Sequence, residues 1–364
     1  MSFQDFHGNH ETVTRIREML ARDRFSHAVI ISGPEGAGKY TLAQMIAKTL
    51  NCLEQPVTRS LPDFCGRCSN CTRIAQADDL EARFAEAVEV REAMREADRR
   101  DARILIQTHP EVIVVPPDPP QMLIKVGQVR LVIDSVFYKP VEARSKVLIF
   151  TESSFMKEAA NSLLKVLEEP PEYATLILLT TNPGELLPTI RSRCVAFTLG
   201  ALPVRQLDEA LSRSRGDLKP AQRELVARLA NGALGRAVSF MLEEYVESRA
   251  SALTMLRSAI AGSDHTELFK ITETYRAGIE GRDKTDQLLR TLYALFEDLL
   301  MLKSGTPELV RNTDIRGELS RLAQAIDFEW IVTASQRLAE VERGMRRNLL
   351  RSLSLDAFAT SLER

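Results

Sequence analysis

The sequence predicts an α/β domain built on a parallel sheet, followed by an all-α portion. Three observations carry this. A glycine-rich stretch, GPEGAGKYT from Gly33 to Thr41, stands between the apolar run Ala28–Ile31 and a segment whose apolar residues (Leu42, Met45, Ile46, Leu50) have helical spacing. Short apolar runs then alternate with helical stretches up to Phe197, the pattern of a sheet covered on both faces. After Gly200 such runs stop and helical periodicity alone remains.

The elements follow in order. Residues 11–24 predict a helix with Val13, Ile16, Met19 and Leu20 on one side, and Ala28–Ile31 a buried strand. Residues 52–71 contain Pro56, Pro62 and Gly66 and read as a loop. Residues 72–103, rich in Ala, Glu and Arg, predict one long, mostly exposed helix, either continuous or with a break: a solvated insertion, or else a partner-binding arm. Val112–Val115 is a strand, PPDPP (116–120) a rigid loop, and 128–138 a helix. Strands are expected at 147–150, 175–180 and 194–197, with a helix over 158–168 stopped by Pro170-Pro171. Residues 203–243 suggest a small helical unit that contains GALGRA (232–237). From about 246 onward every segment looks helical. The clearest is 285–302, with Leu288, Leu289, Leu292, Leu295, Phe296, Leu299 and Leu300 on one stripe. A last helix is expected over 331–361, carrying Arg343, Arg346, Arg347 and Arg351. There are no internal repeats.

A length of 364 residues predicts two or three domains, and 44% apolar residues are enough for real cores. The net charge of −2 gives no global nucleic-acid signature, though it leaves a local basic face open. The N-terminal MSFQDFHGNHET has no basic and apolar signal pattern, and no apolar run reaches the roughly 20 residues that span a bilayer. The expectation is a soluble, cytoplasmic protein without a membrane partner.

Strand, glycine loop and helix form the context of a P-loop. Backbone N–H groups around Gly33, Gly36 and Gly38 would wrap a phosphate, Lys39 would add a point charge, and the helix N-terminus its partial positive charge. The next residue should offer a hydroxyl to magnesium, but it is Tyr40; Thr41, one position on, lies about 100° further round the helix. The second element of a nucleotide hydrolase is an apolar strand ending in Asp-Glu. Here Val147–Phe150 is followed by Thr151 and Glu152. The carboxylate that activates water is kept, or is simply a surface group at a strand end; the one that orders the metal is replaced. With both metal-ordering side chains gone, charge developing in phosphoryl transfer has no clamp. ATP or ADP can still be held at Lys39, magnesium is not expected, and little or no hydrolysis follows.

Four of the five cysteines, Cys52, Cys65, Cys68 and Cys71, have C-x12-C-x2-C-x2-C spacing. Four thiolates on one compact loop match a tetrahedral zinc site closed to water, structural rather than catalytic. Cys194 stands alone as a small buried hydrophobe. Ser192-Arg193-Cys194 follows a strand and a loop; by itself Arg193 would be a surface arginine, but a guanidinium can also stabilise phosphate charge on a neighbouring chain. The five histidines (His7, His10, His27, His109, His265) show no metal spacing.

Taken together and in this order, HAVIISGPEGAGKYTLA, the cysteine cluster, THPEVIVV, the Lys146–Glu152 strand, AANSLLKVLEEPPEYATLILLTTNP and LLPTIRSRC resemble the delta-prime subunits of the bacterial DNA polymerase III clamp loader. The likeness covers about residues 5–240; beyond it, only helical character and RRNLLRSLSL (346–355) match. The resemblance implies an AAA+ fold: a P-loop domain over 1–200 with its zinc module (52–71) and helical insertion (72–103), a helical lid over 201–244, and a helical collar over 245–364. It implies a component of a DNA-directed DNA polymerase holoenzyme, in a hetero-pentamer with gamma/tau and delta subunits that loads the sliding clamp onto primed DNA. Arg193 would be a finger reaching a neighbour's ATP site, Cys52, Cys65, Cys68 and Cys71 the zinc ligands, Asn182 the sensor-1 residue and Arg236 the sensor-2 residue. The alternatives are an active gamma/tau-type ATPase and a stand-alone zinc-containing DNA-binding protein.

Overall fold

The structure is a computed structural model that describes residues 2–261, 266–275, 278–345 and 350–362. Two compact units are present, Met1–Ala210 with Gly232–Arg236, and Leu211–Asn231 with Ala237–Arg364.

In the first unit, α1 (His10–Ala21) precedes β1 (Ala28–Ser32), and the P-loop leads into α2 (Lys39–Asn51). A small hairpin of β2 (Val57–Thr58) and β3 (Leu61–Pro62) is followed by α3 (Ser69–Ala75), α4 (Leu80–Glu92) and α5 (Glu96–Asp101). Then come β4 (Ile106–His109), β5 (Val112–Val115), α6 (Val126–Val136), β6 (Lys146–Phe150), α7 (Lys157–Glu168), β7 (Ala174–Thr180), α8 (Pro188–Arg191) and β8 (Val195–Thr198). Six strands form one sheet in the order β4-β5-β6-β7-β1-β8. All neighbours in it are parallel except β4, which runs antiparallel to β5 at the edge.

Strand periodicity sorts the core into two layers. Val29 and Ile31 of β1 point with Val147, Ile149, Ile177 and Leu179 toward α1, α2 and α3, where Ile16, Leu42, Ile46 and Ile74 meet them. Ile30, Leu148, Phe150, Leu176 and Leu178 point the other way, onto Val129 and Val132 of α6 and Leu163 and Val166 of α7. Every residue of β1 and β7 is buried, as expected of strands covered on both faces. The P-loop sheet implied by the resemblance is therefore present, with an antiparallel edge strand added.

The helix expected over 72–103, continuous or with one break, is broken twice, into α3, α4 and α5. The first break lies at residues 76–79, where the Asp79 side chain accepts from the Ala82 N–H as an N-cap. The second lies at 93–95, where the Arg99 guanidinium donates to the Glu92 and Met94 carbonyls. α4 has no fully buried residue, in line with an exposed insertion.

The helix α9 (Val204–Ser214) runs across the boundary between the two units, and the short α11 (Leu234–Val238) follows α10 (Pro220–Leu229). Within the second unit lie α12 (Leu242–Ala261), α13 (Thr266–Glu273), α14 (Gly278–Lys303), α15 (Arg316–Ala325), α16 (Phe328–Met345) and α17 (Arg351–Thr360). The stripe Leu288, Leu292, Leu295, Phe296 and Leu299 of α14 is the spine of its core. Each such side chain contributes about 1.5–3 kcal/mol by leaving water. The single helix expected over 331–361 is two, because Leu350 is extended ahead of α17. Arg346 and Arg347 lie outside the described residues.

A P-loop without metal donors and a four-thiol module

The P-loop leaves the C-terminal end of β1, the edge where open α/β sheets bind ligands. Gly33 donates its N–H to the Thr180 carbonyl at the end of β7 (3.2 Å). At Gly36 the backbone is left-handed (φ 76°), and a Cβ would stand 2.7 Å from the Arg236 backbone nitrogen. Here only glycine fits, for reasons of both conformation and space. The Gly36 carbonyl accepts from the Gly235 N–H at 2.8 Å, which fastens the start of α11 and Arg236 beside the loop. Gly38 is the left-handed N-cap of α2 and lies against the Phe6 ring.

Lys39 opens α2, and its Nζ donates to the Gly33 (2.8 Å) and Pro34 (2.9 Å) carbonyls of its own loop. Desolvation lowers its pKa, opposed by Glu152 and Glu35. Glu152 is exposed in area, yet desolvation of its carboxyl raises its pKa; Lys39 counters this, and Glu35 and Glu185 add to it. The P-loop lysine and the strand-end glutamate thus sense each other electrostatically across the end of β7.

The two positions that normally order a metal both lack the expected donor, and at the first of them Tyr40 is committed to other work. The Tyr40 hydroxyl donates to the Ala77 carbonyl at 2.5 Å and accepts from Gln44 Nε2 at 2.6 Å. Its burial pushes the phenol pKa upward. Tyr40 is therefore a strut from the P-loop helix to the chain just past α3. A second tie runs parallel to it, from Lys48 Nζ to the Asp78 carboxylate at 2.6 Å. Thr41 sits half-buried on α2, and Thr151 is buried, its N–H donating to Val115. Residue 40 offers only a phenol that is already hydrogen-bonded, and residue 151 is a threonine where a carboxylate is expected.

Asn182 lies just past β7. Its Oδ1 accepts from Gly184 N and its N–H donates to Thr180 Oγ1, so it is held as an N-cap. Two residues that sequence reasoning missed complete this end of the sheet. Ser153 donates to Glu185 Oε2 (3.0 Å) and accepts from Thr180 Oγ1 (2.8 Å). No motif marks them, because they come from different connections and meet only through strand order.

Arg193 follows α8. Its guanidinium donates to Glu168 Oε1 at 2.7 Å and to the Thr189 carbonyl at 2.9 Å, with about a third of the side chain exposed. Glu168 is the last residue of α7, in the LEEPP stretch. The arginine is steadied at the surface rather than buried.

The cysteine sulfurs of Cys52, Cys65, Cys68 and Cys71 all lie within 4.8 Å of one another, and none is in a disulfide. A tetrahedral Zn–S4 site needs sulfurs about 3.8 Å apart, given Zn–S bonds near 2.3 Å, so the set fits zinc with a small contraction. Cys52 ends α2, while Cys68 caps α3 and Cys71 lies in its first turn. Backbone N–H groups of Gln55 and Cys65 point at the Cys52 sulfur, that of Cys68 at Cys65, and that of Cys71 at Cys68. Such donors stabilise thiolates. Burial opposes ionisation of Cys68, but the Cys71 and Leu53 N–H groups and the adjoining thiols outweigh it and bring the pKa to about 7. Burial raises Cys65 and Cys71. The four-cysteine cluster could hold a zinc ion. Cys194 stands apart, half-buried, its thiol pushed to about 11 by burial. Among the described residues no helix is long and apolar enough to cross a membrane.

A family model described as DNA polymerase III, delta subunit, matches residues 8–203, more than half of the chain. The chain is 32% identical over 267 residues to the DNA polymerase III subunit tau of Escherichia coli, an alignment covering 72% of this chain and 36% of that subunit. It is 25% identical over 297 residues to the DNA polymerase III subunit delta' of Bacillus subtilis, covering 81% of this chain and 78% of that subunit. The chain spans little more than a third of the length of the tau relative.

Proposed function

This chain belongs to the DNA polymerase III delta-subunit family, and from that premise we propose that it is a delta-prime-type clamp-loader subunit that does not itself turn over ATP. In this reading its P-loop domain is a fixed brace in an assembly with gamma/tau and delta subunits. The assembly places the sliding clamp on primed DNA, and Arg193 serves the nucleotide site of a neighbour. Residues 201–244 act as a lid and 245–364 as a collar that joins the subunits. Cys52, Cys65, Cys68 and Cys71 hold zinc, which ties the end of α2 to the start of α3 and does no chemistry.

One observation carries the choice of a brace over an active ATPase: the Tyr40 hydroxyl is bound to Ala77 and Gln44. Where a hydrolase keeps a small hydroxyl free for magnesium, this chain has a strut. Thr151, buried and without a carboxylate, removes the second donor. Gly33, Gly36, Gly38 and Lys39 keep a phosphate cradle, and with Thr41, Glu152, Asn182 and Arg236 around it ADP or ATP can sit there unhydrolysed. Nearby, Glu152 retains the position of a general base without a metal-bound water to serve. Arg193 is suited to work in trans because it is surface-held by Glu168, and its planar fork matches phosphate oxygens.

The test is Arg193→Ala in a clamp loader assembled with its gamma/tau and delta partners. A trans arginine contributes roughly 10³–10⁵ in rate where it is the main charge stabiliser, and one site among several gives a smaller but clear loss. DNA-stimulated ATPase and clamp loading should both fall while assembly is unchanged. Full activity in the variant complex would end the assignment.

A further inference from the structure

Residues 137–145, between α6 and β6, form an exposed knuckle. Phe137, Tyr138 and Val141 are 50%, 72% and 91% exposed, a costly display of apolar area on a loop that the proposed function leaves unexplained. The knuckle is gripped from one side by the four-cysteine module. Arg144 donates through one guanidinium nitrogen to the Cys52 carbonyl (2.7 Å) and through another to Gln55 Oε1 (3.0 Å). The Gln55 N–H in turn points at the Cys52 sulfur (3.2 Å). The Ser145 N–H donates to Asn51 Oδ1 at 2.9 Å. From α3, Asn70 Nδ2 donates to the Asn51 carbonyl (3.0 Å) and the Glu142 carbonyl (3.2 Å), and Arg73 pairs with the Glu142 carboxylate. Asn51 and Asn70 are buried. Beyond these, the Val141 N–H donates to Glu111 Oε1 (2.8 Å) and the Tyr173 hydroxyl to the Phe137 carbonyl (3.0 Å).

Every contact on the module side comes from a residue next to, or within three positions of, Cys52 or Cys71. Asn51 and Gln55 flank Cys52; Asn70 and Arg73 flank Cys71. The two segments that carry them, the end of α2 and the first turns of α3, are separated by the 52–68 loop. They reach the knuckle together only if they are held in register. The Tyr40–Ala77 and Lys48–Asp78 ties join α2 to the chain past α3, and Arg17 holds the Thr58, Leu61 and Pro62 carbonyls of the loop. Four thiolates on one ion would add the register at the Cys52 and Cys71 ends themselves, since a metal further restricts the loop it closes.

We infer that the four-cysteine module is a metal-dependent clasp: zinc fixes Asn51, Asn70, Arg73 and Arg144 in one arrangement, and this arrangement sets the shape of the Phe137–Val141 knuckle. The inference rests on the zinc reading of the cysteines. It goes beyond a merely structural zinc by naming what the metal holds. Loss of zinc would release the knuckle while leaving the parallel sheet folded: Cys52 and Cys71 belong to one of the two core layers that β1, β6 and β7 line, but the other layer contains none of the four cysteines, and Asn51, Asn70, Arg73 and Arg144 belong to neither.

The test is hydrogen exchange followed by mass spectrometry on the full chain, with zinc content measured on each sample. Peptides over 137–146 report the clasp through the Ser145 amide on Asn51 and the shape of the knuckle through the Val141 amide on Glu111; peptides over β7 are the control. The zinc-loaded chain should protect the knuckle. Chelation should speed its exchange by about tenfold, the scale of losing one or two ordinary hydrogen bonds, with β7 unchanged, and added zinc chloride should restore protection. Arg144→Ala and Asn70→Ala should speed the same peptide with one zinc per chain still bound. The inference fails if chelating a zinc-loaded chain leaves 137–146 unaltered or speeds β7 equally, or if both variants keep full protection. A chain that takes up no zinc at all overturns the metal reading itself, and the zinc measurement tells that failure apart from the others.

Discussion

Replacing Tyr40 by Phe removes one oxygen atom and little else. The ring can stay where it is, packed against the core layer formed by α2 and α3. What disappears is a pair of short hydrogen bonds, to the Ala77 carbonyl at 2.5 Å and from Gln44 Nε2 at 2.6 Å. Gln44 is 1% exposed, and its Oε1 has no partner among the described residues, so its amide nitrogen would join an oxygen that is already unpaired. An unsatisfied buried group costs about 1–3 kcal/mol. For a unit of this size that corresponds to a fall of roughly 2–10 °C in Tm. Thermal and urea unfolding of the full chain measure it. Tyr173→Phe is the control, because that hydroxyl donates to Phe137 in an exposed setting, where the loss should be under about 1 kcal/mol. A double variant, Tyr40→Phe with Gln44→Leu, should cost less than the sum of its parts, since it removes both partners of one bond. If Tyr40→Phe were as stable as the parent and showed no coupling with position 44, the strut would carry no load, and the reason for losing the metal-binding hydroxyl would have to lie elsewhere.

Two further outcomes follow from the local geometry. Gly36→Ala places a Cβ 2.7 Å from the Arg236 backbone at a left-handed residue; about 2 kcal/mol or more should be lost, read by urea unfolding, and proteolysis should quicken at residues 232–236. Cys194, with its thiol pushed to about 11 by burial, is expected to alkylate slowly at pH 8 and progressively faster beyond pH 9, as mass spectrometry of the zinc-loaded chain would show. The sign is that of a raised folded-state pKa: the group's contribution to stability is complete below the ordinary thiol pKa and is lost as pH climbs toward 11.

The sheet was legible wherever burial was total. Val112–Val115, Val147–Phe150 and the run around Thr175–Thr180 are continuous apolar stretches, and each is a strand within a residue or two of its expected bounds. β4 escaped because Ile106-Gln-Thr-His109 is an edge strand, half polar, with a single neighbour. β2 and β3 escaped because two residues carry no period. Asp79 is a readable N-cap signal inside the supposed 72–103 helix; the break at 93–95 has no glycine or proline, and depends on Arg99 folding back onto the helix end.

At the candidate site the cysteine spacing and the glycine loop were legible because each is local. The absence of a small hydroxyl at position 40 was equally plain. What the side chain does instead was not, because its acceptor, Ala77, is 37 residues away and nothing in the sequence pairs them. The same holds for Arg193 and Glu168, 25 residues apart, and for the Gly235 N–H on the Gly36 carbonyl. Each of these contacts is set by strand order and helix packing, the part of a fold that local pattern does not encode.

Magnesium-dependent ATP turnover by the purified chain, with nucleotide binding measured separately on the same sample, tests the account at its centre. The expected result is turnover no greater than the buffer blank, with or without bound nucleotide, because Tyr40 is engaged by Ala77 and Gln44 and position 151 has no carboxylate. Sustained turnover that needs magnesium and vanishes in Lys39→Ala would contradict it.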